Sequence, residues 1–174
     1  MEKSTGRLYW ITGLSGAGKT TIGTALYEKL RESKNNVVII DGDKLREAYG
    51  DAFGYGDEDR RKGALCNAKI AHILTEQGID VVCCTISMYD SVRAWNRANN
   101  EKYTEIYLKV DMETLMKRDK KGLYSSCAEN LVGVTMKMEE PKTPDVLVHN
   151  NGQEHVEDIV ERILSKAKEG DGKQ

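Results

Sequence analysis

The sequence predicts an α/β fold of three layers around a mainly parallel five-stranded sheet. Short apolar runs alternate with amphipathic stretches from end to end, the pattern of a parallel sheet with helices on its faces. The first apolar run stops at a glycine-rich loop that opens directly into helical periodicity. No internal repeat or linker interrupts the 174 residues, so a single domain spanning residues 1–174 is expected.

Each element has its own signal. Residues 8–12 form a bulky, β-prone run ending at Gly13, as a buried first strand would. Beyond Lys19, the residues Ile22, Ala25, Leu26 and Leu30 recur at helical spacing. Residues 37–40 form a second buried strand, and Asp41-Gly42-Asp43 then puts two carboxylates at its carboxyl end, where ligands bind in open α/β sheets. A helix over 57–77 carries Leu65, Ala68, Ala71 and Leu74 on one face and stops at Gly78. Strands follow at 79–86, 106–110 and 146–148, with helices at 90–99 and 112–118. The clearest periodicity, Val156 to Ala167, has acidic residues early and lysines late, matching the helix dipole. Residues 169–174 read as a frayed tail. Residues 119–143 are polar and aperiodic, and longer than ordinary connections, so they read as a functional lid or a disordered loop.

Composition excludes several classes. A formal net charge of −2 gives no bulk attraction to nucleic acid polymers or anionic lipid. No apolar run approaches the roughly 20 residues a bilayer requires, and no signal-peptide pattern opens the chain, so no membrane partner and a cytoplasmic location are expected. Cys66, Cys83, Cys84 and Cys127 show neither redox nor zinc spacing and read as reduced thiols, with Cys83 and Cys84 on opposite faces of a strand. His72, His149 and His155 have no metal-ligand spacing, and Trp95 on an amphipathic helix reads as packing.

The loop Gly13-Leu14-Ser15-Gly16-Ala17-Gly18-Lys19-Thr20 fits the P-loop pattern of nucleotide hydrolases and kinases. Phosphates need several donors at close range, and glycines let backbone N–H groups approach without a Cβ in the way. Lys19 adds a full positive charge, the hydroxyl of Thr20 suits Mg²⁺, and the helix beginning there points its positive end at the same spot. Gly13, Ser15, Gly16, Ala17, Gly18, Lys19, Thr20 and Thr21 are therefore the expected ATP-binding residues. The loop does not separate kinases from GTPases, but the chain has no Asn-Lys-x-Asp guanine-reading stretch, which favours a kinase. Asp43 is the candidate to orient the acceptor hydroxyl and, with Thr20, to hold Mg²⁺, although Asp-Gly-Asp also suits a plain tight turn. Lys117, Arg118, Lys120 and Lys121 could neutralise a transferring phosphoryl group or form a solvated basic patch at a helix end.

Four blocks resemble the adenylyl-sulfate kinase family, in its order and spacing. They are the run from Trp10 to Thr21, Asp41-Gly-Asp-Lys-Leu-Arg46, Ile86-Ser87, and Arg118-Asp-Lys-Lys-Gly-Leu-Tyr124. The resemblance implies transfer of the terminal phosphoryl group of ATP to the 3′-hydroxyl of adenosine 5′-phosphosulfate. It implies that Lys19, Asp43 and Ser87 lie at the chemistry, Ser87 matching the family's phosphoserine position and more plausibly binding the acceptor. It also implies that Asp41, Arg46, Tyr55, Arg60, Ile86, Lys121 and Leu131 line the acceptor side, and that Arg118 serves the ATP side.

Departures from the family pattern fall on the acceptor side. Gly63 stands where the family has an asparagine, Ser87-Met88-Tyr89-Asp90 replaces Ser-Pro-x-Arg, and Leu131-Val132-Gly133 replaces the Phe-Thr-Gly whose ring stacks on adenine. A lost stacking ring is worth about 1–3 kcal/mol, enough to change which base is preferred. Relatives departing in this way include the cytidine diphosphoramidate kinases of bacterial capsule synthesis. Three readings stay open: a kinase for cytidine 5′-diphosphoramidate, an adenylyl-sulfate kinase making 3′-phosphoadenylyl sulfate, and a non-catalytic nucleotide-binding switch. A small nucleotide is the expected partner, and homodimerisation is left open.

Overall fold

A computed structural model describes residues 4–119, 122–126, 132–134 and 137–171. Among them run the strands β1 (Arg7–Thr12), β2 (Val37–Asp41), β3 (Asp80–Cys84), β4 (Lys102–Lys109) and β5 (Val146–His149). The helices are α1 (Lys19–Arg31), α2 (Gly42–Tyr49), α3 (Asp57–Thr75), α4 (Asp90–Asn99), α5 (Met112–Lys117) and α6 (Val156–Asp171), with a 3-10 turn at Gly50–Ala52. The strands form one parallel sheet, as the alternating pattern predicts, and their order is β2-β3-β1-β4-β5.

Strand β1 lies at the centre and shows how the three layers arise. All six of its residues are buried, and alternate side chains leave for opposite faces. Tyr9 and Ile11 join the cluster under α1 and α6, with Ile22, Leu26, Ile159 and Ile163. Leu8 and Trp10 join the cluster under α3 and α4, with Ala64, Ala68, Ala71 and Val92. Cys84 falls in the first cluster and Cys83 in the second, as expected, and Cys66 is half-buried. A third cluster, containing Leu14, Met88, Leu115, Tyr124 and Val132, sits at the carboxyl end of the sheet and supports the site.

The structure adds one helix and corrects three boundaries. Helix α2 was not expected, because it buries no residue and so leaves no apolar stripe to read; it starts where the Asp41 carboxylate caps it, accepting the Asp43 N–H at 2.9 Å. Strand β3 ends at Cys84 rather than 86: Ser87 takes a left-handed φ of 30°, so Ile86 and Ser87 lie in a loop. Strand β4 begins at Lys102 instead of 106, its polar start hidden because Glu105 is buried against Arg93 and Arg97. Helix α6 continues through Asp171, where a frayed tail was expected, because Asp171 pairs with Arg7. Trp95 packs edge-on against His72, with ring centroids 5.6 Å apart. Among the described residues no helix is long and apolar enough to cross a membrane.

Candidate active site

The turn from β1 into α1 is the glycine-rich loop, and its geometry suits a phosphate cradle. Gly18 has φ 93°, and a Cβ there would stand 2.5 Å from Asn150 Nδ2, so only glycine fits. That amide of Asn150 donates to the Ala17 carbonyl at 2.8 Å and so ties the loop to the residue after β5. No side chain caps α1, which leaves its first N–H groups for an anion. Lys19 Nζ lies back on the Leu14 carbonyl at 2.7 Å, in reach of the space above the loop. Tyr124 donates its hydroxyl to the Ser15 carbonyl at 2.7 Å, and burial, with Asp119 nearby, pushes its pKa up to about 12, so the proton stays in place for that bond.

Beside the cradle, the carboxyl end of β2 brings oxygen ligands together. Asp41 uses one carboxylate oxygen to cap α2 and the other to accept the Thr20 hydroxyl at 2.9 Å. Asp43, in the first turn of α2, faces the same space. Among the described residues no group of three or more His, Cys, Asp and Glu gathers as an all-protein cage. A hydroxyl and two nearby carboxylates fit Mg²⁺, which keeps several waters and completes its shell with substrate phosphates. Cys84 Sγ approaches the Lys19 carbonyl at 3.4 Å, and burial beside Asp41 pushes its thiol up to about 12, so it stays an inert packing group.

Across the space from the cradle stand α2, α3 and the loop between them. Arg46 donates to the Phe53 and Gly54 carbonyls at 3.2–3.3 Å, and Arg60 donates from Nε to the Tyr55 carbonyl at 2.9 Å. Both guanidinium groups lie against the Tyr55 ring, 4.6 and 5.8 Å from its centroid. Burial, with the like charge of Arg46 beside it, lowers the Arg60 pKa from its usual value. Ser87 is buried, its hydroxyl 2.6 Å from that of Thr85, and the Ile86 carbonyl accepts from Thr12. The left-handed φ of Ser87 is a strained conformation of the kind that collects at functional sites.

One cavity of about 660 Å³ joins the two sides, within the range of small-molecule sites. Most residues chosen from the sequence line it: Ser15, Gly16, Gly18, Lys19, Thr20 and Thr21 on one side, Asp41, Asp43, Arg46, Arg60, Ile86 and Ser87 on the other, with Arg118 at the edge. Gly13, Ala17 and Tyr55 do not: Gly13 and Ala17 are buried behind the cradle, and Tyr55 projects outward at 62% exposure. Lys121 and Leu131, with Lys120 and Cys127, lie outside the described residues. Lys117 pairs with Glu113 at 2.7 Å on the surface, which is the solvated reading for that one residue of the basic cluster. Asp90, the acid in place of an arginine, faces Arg93 one turn along α4 and is not on the cavity wall.

Asn150, Tyr49 and Asn67 line the same cavity and were not singled out from the sequence. An asparagine after a strand or a polar residue within a helix gives no local signal, and only the packing of distant elements brings these here.

The sequence profile described as adenylylsulphate kinase matches residues 5–149. The chain is 41% identical over 163 residues to the cytidine diphosphoramidate kinase of Campylobacter jejuni, covering 91% of this chain and 95% of that protein. It is 38% identical over 143 residues to a probable adenylyl-sulfate kinase of Archaeoglobus fulgidus, covering 80% and 92%. Its fold matches the APS kinase CysC of Mycobacterium tuberculosis, solved in complex with AMPPNP and APS, with a TM-score of 0.84 at 24% identity over 94% of this chain and 98% of that one.

Proposed function

Because the chain belongs to the adenylylsulphate kinase family, a family of phosphotransferases, we propose that it transfers the terminal phosphoryl group of ATP to the 3′-hydroxyl of a 5′-nucleotide carrying a small activated group, with cytidine 5′-diphosphoramidate as the acceptor. The observation that supports this reading is the single cavity shared by the phosphate cradle and the Arg46–Arg60 pair, with Asp41 and Asp43 between them. The Campylobacter jejuni relative supports the cytidine acceptor.

On this reading the loop amides from Ser15 to Thr20 hold the ATP phosphates, and Lys19 leaves the Leu14 carbonyl to follow the charge on the transferring group. Thr20, Asp41 and Asp43 would hold Mg²⁺, which would supply positive charge to offset that of the ATP phosphates. Arg46 and Arg60 bind the anionic groups of the acceptor, and Ser87 fixes its sugar end. Asp43 accepts the proton of the 3′-hydroxyl as its oxygen attacks: the new O–P bond forms while the bond from the γ-phosphorus to ADP breaks, and ADP leaves with that electron pair. Arg118 steadies the ATP side.

The adenylyl-sulfate kinase relatives favour adenosine 5′-phosphosulfate as the competing acceptor. The two are separated by measuring kcat/KM for both acceptors at saturating ATP and Mg²⁺, with the phosphorylated position assigned by phosphorus NMR. A preference of about tenfold or more for the cytidine acceptor is expected, the scale of one lost stacking contact. A preference for adenosine 5′-phosphosulfate overturns the cytidine assignment.

A further inference from the structure

Helix α3 presents Arg60, Gly63 and Asn67 along one line, three and four residues apart, and all three face the cavity. The rise of a helix puts Asn67 about 10 Å beyond Arg60, and Asn67 is buried where Arg60 is half-buried. Gly63 stands between them and leaves the cavity wall bare of a side chain there, where a Cβ would come into ordinary contact with the Phe53 ring at 3.7 Å. Asn67 is 94% buried, with 6% of its surface exposed.

A buried carboxamide is costly unless its groups are bonded. The Tyr49 hydroxyl donates to Asn67 Oδ1 at 2.7 Å, and the Tyr49 ring is held edge-on against Phe53 with centroids 5.3 Å apart. Burial raises the Tyr49 pKa, so its hydroxyl remains a donor and fixes which end of the amide it meets. Among the described residues no acceptor for Asn67 Nδ2 is present, and this nitrogen is not among the sealed, partnerless buried atoms. The oriented amide therefore offers its N–H donors to whatever occupies the cavity.

We propose that Asn67, oriented by Tyr49, reads the base of the acceptor nucleotide by donating from Nδ2 to the carbonyl oxygen and adjacent ring nitrogen of a cytosine. This rests on the nucleotide-kinase reading above and adds the residue that sets base preference. The arginines at the mouth take the anionic groups, whereas a neutral donor held deep in the cavity suits an uncharged base edge. A cytosine offers two neighbouring acceptors on that edge. An adenine edge sets a single ring-nitrogen acceptor beside its amino donor, so one of the two bonds is lost, and its second ring demands more room. A site built to make a hydrogen bond rejects a ligand that leaves it unmade far more strongly than an apolar slot does.

The test measures the ratio of kcat/KM for cytidine 5′-diphosphoramidate to that for adenosine 5′-phosphosulfate, in the wild type, Asn67→Leu, Asn67→Asp and Tyr49→Phe. Each ratio is taken within one preparation, so any loss of folded protein cancels. The ratio should fall roughly 10- to 100-fold in both Asn67 variants and by a smaller factor in Tyr49→Phe, with KM for ATP unchanged. A ratio that stays at the wild-type value in the Asn67 variants, whether both activities fall together or neither does, overturns the role of Asn67. A wild type that prefers adenosine 5′-phosphosulfate instead overturns the cytidine assignment, and the change of ratio still decides on Asn67.

Discussion

Single side chains at this site each serve more than one demand. Asp41 caps a helix with one oxygen and holds the Thr20 hydroxyl with the other, so the group that starts α2 also orients a proposed metal ligand. Lys19 and Asp43 are proposed to act on charge that develops only during transfer. Lys19→Ala and Asp43→Asn should therefore each lower kcat by roughly 10²–10³-fold or more while leaving the circular dichroism spectrum and melting temperature close to wild type. Near wild-type release of ADP from Asp43→Asn would remove that carboxylate from the mechanism. The residues legible in sequence were those whose chemistry is tied to neighbours in the chain: the loop from Gly13 to Thr20 and the pair Asp41 and Asp43. Asn67 and Asn150 were not legible, because their partners, Tyr49 and Ala17, lie 18 and 133 residues away.

Among the elements, the segment at residues 137–140 joins the site to α4. The Glu139 carboxylate accepts the Asp90 N–H at the start of α4 and pairs with Arg61 at 3.2 Å, and its carbonyl accepts from Arg93. Desolvation acts to raise the Glu139 pKa, but these N–H and guanidinium groups outweigh it and hold the carboxylate below its ordinary value. The folded state therefore favours the ionised form. Its stabilisation is fully present above about pH 4.5 and is lost as the pH falls through the depressed folded value. Glu139→Gln should be less stable than wild type at neutral pH by about 1 kcal/mol or less, since the pair is partly exposed. That gap should close on the acid side of the ordinary carboxylate range, as read by urea denaturation at several pH values. A gap that widens on acidification would show that the carboxylate is not held by these partners.

The whole molecule depends on β1, because its alternate residues anchor both helical layers. We expect the chain to unfold as one domain in a single cooperative transition. Leu8→Ala and Ile11→Ala, on opposite faces of that strand, should each cost about 2–5 kcal/mol and move the same transition. Two resolved transitions in calorimetry, each sensitive to one substitution, would show that the layers are independent.

The sequence by itself determined the order and type of most elements, the phosphate loop and the acidic end of β2, because apolar periodicity and glycine spacing are local properties that follow from helix and strand geometry. Tertiary structure decided what local pattern cannot carry. It placed α2, a polar helix with no buried face that exists through its cap and its position over the cavity. It extended β4 back to Lys102, where burial of Glu105 against two arginines lets charged residues sit in a sheet. It also put the strained Ser87, the outward Tyr55 and the inward Asn67 in their places, because burial and hydrogen-bond partnership are set by groups distant in the chain and fixed only when the layers pack.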